Sequence, residues 1–247
     1  MHATAAATPP RPLRRGGVLA VGLLVTLVAL VDTLIAPWSP LILAHAALAL
    51  LLPLAWGTWS FGRLSTVRRS SWALVIVVPI AFQIVASFWD GLLWPWIVRL
   101  AGVDPAVSQG PYYTLTAALP AVFQAGASRL GWPVDRMTWV YFSFIVLWAG
   151  LGEELFYRGY VYGTLRKRGV GAIRAAIVSS ALFGVRHAAQ LAPVHPYPLA
   201  AALSWVVIAF VIGLALAWIY ERSASLWPPV LAHYLFNLIP FAALLFT

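Results

Sequence analysis

Cysteine is missing from all 247 residues, which removes any disulfide framework, thiolate zinc site or cysteine nucleophile. Acid is nearly as scarce: 7 Asp+Glu stand against 16 Lys+Arg, and charged residues make up only 9% of the chain. Soluble domains carry about 25%. With 62% apolar residues and so few charges to cover a surface, a soluble enzyme is all but excluded. Disordered, collagen-like and coiled-coil architectures fail for the same reason. The net charge of +9 is split into short cationic clusters between apolar runs. That pattern orients membrane proteins, whereas a nucleic-acid reader gathers its cations on one soluble face, so no nucleic-acid partner is expected.

Long apolar runs are what the chain has in abundance. A helix needs about 20 apolar residues, at 1.5 Å each, to cross a bilayer. Spans are expected at about residues 17–36, 41–61, 72–100, 139–165, 171–191, 199–220 and 226–246. The third is interrupted by Pro79, Asp90 and Pro95. An eighth, 112–127, is broken by Pro120 and either spans or stays outside as a dipping segment. The fold expected is therefore all-α: a polytopic membrane helix bundle of seven or eight transmembrane helices around a buried polar site. The first run follows Arg11, Arg14 and Arg15, exceeds the 7–15 residues of a signal-peptide core, and is followed by Pro37, so it reads as an uncleaved span.

Cations set the orientation. Arg11, Arg14, Arg15, Arg63, Arg68, Arg69, Arg166, Lys167, Arg168, Arg174 and Arg222 are 11 of the 16 basic residues. All face the cytoplasm if the N-terminus is inside and residues 103–136 do not cross. A multi-pass protein with a cytoplasmic N-terminus follows, most simply in a bacterial inner membrane.

Ionisable groups inside lipid are costly, and each is a candidate for function. The fourth span carries Glu153, Glu154 and Arg158, the fifth Phe183, Arg186 and His187, and the seventh His233 and Asn237. Glu154 and Arg158 are four apart, the spacing of an internal ion pair. Glu153 is turned by about 100° from its neighbour, so one helix can aim two carboxylates at different partners. His233 and Asn237 share a face. Glu154 is 12 residues from Arg166, His187 13 from Arg174 and His233 11 from Arg222. Those separations put all three roughly 16–20 Å from their cationic ends, at one depth.

Glu153-Glu154-x-x-x-Arg158, Phe183-x-x-x-His187 and His233-x-x-x-Asn237, in this order on successive apolar segments, resemble the CPBP family. Its members include CAAX prenyl proteases of the Rce1 type, bacteriocin-processing proteins and abortive-infection membrane proteins. The resemblance covers about residues 139–247. It implies one integrated membrane domain, with a variable N-terminal transmembrane region at 1–137 and a catalytic core at 138–247. It further implies an intramembrane endopeptidase acting on a membrane-associated protein or peptide, prenylated substrates included. Glu153 would then be the base, His187 would orient or deprotonate the water, and His233 with Asn237 would form the oxyanion hole. Glu154 and Arg158 would hold the catalytic helix, although the two glutamate roles are exchangeable. Other intramembrane protease signatures are missing: there is no His-Glu-x-x-His, Gly-x-Ser-Gly or Gly-x-Gly-Asp.

The chemistry fits the residue types. A carboxylate shielded from water is a better base near neutral pH, and donors aimed at a developing oxyanion lower the barrier. His187, His233 and Glu153 also match the donors of an open zinc site. Zinc and a metal-free mechanism are both compatible with the motifs, and no obligatory metal is the expectation. Two other functions compete: a non-catalytic protein of the same fold (a bacteriocin-immunity factor or scaffold) and a proton-coupled transporter. Arg186 either pairs with a carboxylate or binds one belonging to a substrate. Gly159 and Gly163 form a packing face. Asp90 reads as a capping or pairing group at a helix break, and His45 and His195 as structural. Trp38, Trp59, Trp72, Trp94, Trp96 and Trp227 read as interfacial anchors.

Overall fold

Apolar runs punctuated by proline and glycine fold here only into helices. The computed structural model describes residues 17, 19–25, 27, 67–100, 102–105, 109–190 and 198–245, and no strand occurs among them. The expectations for the second span and for Arg11, Arg14, Arg15, Arg63, His45, His195, Trp38 and Trp59 lie outside the described residues, as does most of the first span.

Helix α1 (Arg69–Phe88) runs through Pro79, passes a wide π turn at Trp89–Leu93, and continues as α2 (Trp94–Leu100). The proline and the aspartate therefore do not end the third span. Neighbouring helices re-satisfy the backbone groups that a proline frees in an apolar bundle. The widened turn sits at Asp90, which is buried, and a Cβ on Gly110 would come within 2.2 Å of the Asp90 Cγ. That close approach lets the returning chain cross over the carboxylate. The turn also rephases the helix. Trp94, expected at an interface, is instead fully buried with Val98 against Ala201, Trp205 and Ile208, while Trp96 is exposed.

Helix α3 (Pro111–Leu130) starts on Pro111 and stops at Gly131, whose φ of 64° is the left-handed cap a glycine supplies. It continues through Pro120, so residues 112–127 form one unbroken helix. Next come α4 (Val134–Ser143), a wide i→i+5 helix over Phe144–Tyr162, and α5 (Gly163–Lys167), without interruption. Helix α6 (Ala172–Arg186) ends in a 3₁₀ turn, His187–Gln190. Helices α7 (Pro198–Ser223) and α8 (Trp227–Leu245) close the bundle. Arg69–Leu100 and Leu199–Ser223 are long and apolar enough to cross a membrane.

Antiparallel packing fixes the ends. Val75, near the start of α1, packs with Leu216 and Ile219 near the end of α7 and with Ala232 and Phe236 of α8. Tyr162 donates to Glu221 at 2.5 Å, and Arg166 Nη2 reaches the other oxygen of that carboxylate at 2.8 Å. The start of α1, the α5–α6 turn and the α7–α8 turn therefore share one end, the end that carries Arg69, Arg166, Arg174 and Arg222.

Helices surrounded by lipid gain nothing from leaving water, and close fit is what holds such helices together. Small residues provide it between α6 and α7. A Cβ on Gly184 would meet the Val206 carbonyl oxygen at 2.7 Å, and one on Gly213 would meet the Ser180 Cβ at 2.8 Å. Phe156, Tyr157, Tyr160 and Phe183 fill the space between the wide helix and α6, and Val25 joins their cluster. Gly159 and Gly163 are both buried.

Candidate functional site

Two adjacent glutamates on the wide helix face into the bundle, Glu154 with no exposure and Glu153 with 5%. Arg158 donates Nη1 to Glu154 Oε1 at 2.7 Å, as the spacing of four predicts. Its Nη2 donates to the Gly213 carbonyl oxygen at 3.1 Å, and its guanidinium lies 4.6 Å above the Phe183 ring. Arg158 is fully buried, fixed by a carboxylate, a carbonyl and a π face.

Glu153 turns to α6. Arg186 donates Nη1 to Glu153 Oε1, which realises the pairing alternative for this arginine. The guanidinium leaves from the C-terminal end of a helix, where the backbone dipole favours a cation. Two carboxylates and two guanidiniums thus cancel inside the bundle, the condition for tolerating buried charge.

His233 enters from α8 and touches both glutamates. Its Nδ1 lies 2.8 Å from Glu154 Oε1, and its Nε2 lies 3.7 Å from Glu153 Oε2. An ionised carboxylate only accepts, so Nδ1 carries a proton and donates it to Glu154. That bond aims Nε2 at the glutamate next door. Asn237 follows one turn later on α8, half-buried, with no side-chain hydrogen bond among the described residues.

His187 is placed differently from a mid-span residue. Helix α6 is only 15 residues long, about 22 Å at 1.5 Å per residue, and His187 caps its end. Its Nδ1 donates to the Phe183 carbonyl oxygen at 2.6 Å, which leaves Nε2 of the neutral ring as an acceptor. The structure brings Glu153, Glu154, Arg158 and His233 into contact. His187 is joined to them through Phe183, with ring centroids 4.4 Å from His187 and 5.8 Å from His233.

Phe183 is therefore the residue that spacing alone leaves without a task. Its ring carries Arg158 on one side and meets Tyr157, His187 and His233 around it. The signal was its position four before His187. Gly150 sets a close approach of helices. A Cβ there would sit 2.0 Å from the Tyr234 ring, so only glycine lets the wide helix approach α8 closely enough for His233 to reach Glu154.

Zinc needs three or four ligands around one point. Among the described residues no three His, Asp or Glu side chains come together to hold a metal ion. Glu153, His233 and His187 do not form such a set among the described residues. The donor arrangement does not fit a metal, and no step below runs through one.

Residues 135–239 match the family model described as Type II CAAX prenyl endopeptidase Rce1-like. This segment carries all three motifs, and the resemblance read from them is borne out. At the family level it supports a peptidase. No curated protein and no solved structure matches the chain.

Proposed function

Taking the Rce1-like segment as premise, we propose that this chain is a multi-pass intramembrane endopeptidase. It cuts a peptide bond near the C-terminus of a membrane-associated protein or peptide, lipidated chains included. The observation that carries the reading is His233 wedged between Glu153 and Glu154, in a charge-balanced cluster that only an interior site rewards.

Glu153 is the base. Its side chain keeps 6% exposure, whereas that of Glu154 keeps none, so Glu153 is the carboxylate water can reach. A water held between Glu153 and His187 Nε2 loses a proton to Glu153 as its oxygen attacks the carbonyl carbon. Positioned proton transfer of this kind contributes about 10²–10⁴-fold. The oxyanion receives His233 Nε2 and the Asn237 amide. When the tetrahedral intermediate collapses, the proton on Glu153 passes to the leaving amine. Glu154 and Arg158 position His233 and take no part in the proton transfers. The scheme requires no metal.

Sequestration comes from the bundle, and the cation-rich end supports a cytoplasmic N-terminus in a bacterial inner membrane. A non-catalytic immunity factor or scaffold draws support from the same observation, because a purely structural cluster also balances its charges. Comparing C-termini across the membrane proteome separates the two. Cells with the wild-type gene yield new C-termini that vanish in Glu153→Ala and His187→Ala strains, although both proteins insert normally. Purified protein keeps its activity in a metal chelator. Unchanged C-termini in both variants would sink the hydrolase.

A further inference from the structure

The two arginines of the site are held in unlike ways, and the difference assigns a task to Arg186, which fills an unspecified position of the second motif. Arg158 is locked by Glu154, the Gly213 carbonyl and the Phe183 face. Among the described residues Arg186 bonds only Glu153, through one of its five donors, whereas Arg158 uses two; Nε is without a partner in both arginines. Its side chain is the most exposed of the four charged groups, at 12%. It also stands at the end of α6, beside His187, where the helix gives way to a 3₁₀ turn.

That pairing opposes catalysis. The arginine donor occupies Oε1, one of the two Glu153 oxygens that could take a proton from water, and ties the carboxylate to the end of α6. The planar fork of arginine matches a carboxylate bidentately. An incoming carboxylate offers Arg186 a better partner than a single bond to Glu153.

We propose that Arg186 receives the free C-terminal carboxylate of the substrate, and that its transfer from Glu153 to that carboxylate frees Glu153 to act as base. Resting on the hydrolase reading above, the exchange makes arrival of a chain end the event that arms the site. It also sets the cut. A carboxylate on Arg186 lies within side-chain reach of Glu153, and extended chain spans about 3.3–3.6 Å per residue, so the scissile bond falls only a few residues from the end. An internal loop, having no terminal carboxylate, leaves the latch closed.

The test compares a farnesylated peptide ending Cys-aliphatic-aliphatic-Met as the free acid with its C-terminal amide, using purified full-length protein. Wild-type protein cleaves the acid with kcat/KM about 10- to 100-fold above the amide, the worth of a charge-assisted hydrogen bond. Arg186→Gln brings that ratio close to one, while Arg186→Lys, which keeps the charge but not the fork, retains part of it and guards against a folding defect in the first variant. Equal rates on acid and amide in wild-type protein, or an undiminished ratio in Arg186→Gln, overturns the proposal while Glu153-dependent cleavage leaves the hydrolase standing. Cleavage of neither peptide overturns it too, and the hydrolase then survives only if Glu153-dependent C-termini still appear in the membrane proteome.

Discussion

Side by side on one helix, Glu154 and Glu153 are built into opposite surroundings. Glu154 has no exposure; it is paired with a buried arginine at 2.7 Å and accepts from His233 at 2.8 Å. Glu153 borders the end of α6, meets an arginine with no other partner among the described residues, and faces a His233 nitrogen 3.7 Å away. One half is sealed, with both donors on a single Glu154 oxygen. The other lies beside the end of α6, where the Arg186 side chain keeps 12% exposure. Identical side chains one residue apart thus acquire different surroundings, and the proposed division of roles between them rests on that difference.

Breaking the sealed half has the largest effect. Arg158→Ala leaves the Glu154 carboxylate buried and uncompensated, which costs about 3–5 kcal/mol. Thermal unfolding in detergent, or loss of folded protein from membranes, measures it. A wild-type melting temperature in that variant would mean the sealed half is not a structural anchor. The smallest effect marks the contrast from outside the site. Arg166 and Glu221 form an ion pair at 2.8 Å with more than a third of each side chain exposed. Exposed pairs contribute roughly 0–1 kcal/mol, so Arg166→Ala lowers stability by no more than that and leaves cleavage intact. A loss as large as that of Arg158→Ala would place the anchor at the cation-rich end instead.

Relations within one helix were legible in the sequence; relations between helices were not. The Glu154–Arg158 pair follows from a spacing of four, and Pro228–Pro229 open α8 as their fixed φ requires. The aim of two adjacent carboxylates at separate arginines was readable from their rotation about the axis. Contact of His233 with both glutamates was not, because it depends on how deeply α8 settles against the wide helix, which Gly150 and Tyr234 decide by close approach. Helical periodicity also assumes 3.6 residues per turn. The i→i+5 segment at Phe144–Tyr162 and the turn at Trp89–Leu93 depart from it, and Trp94 went from expected interface to core as a result. Phe183 was legible as a motif position but not in its task, which shows only once an arginine and two imidazoles are found around its ring.

The measurement that bears most directly on the division of labour pairs Glu153→Gln with Glu154→Gln, reading cleavage rate and unfolding temperature on the same purified samples. Glu153→Gln lowers the rate by about 10²–10⁴-fold with little change in unfolding, whereas Glu154→Gln lowers the unfolding temperature and affects the rate through that loss. Full cleavage by folded Glu153→Gln, or the reverse assignment of rate and stability between the two variants, contradicts the account.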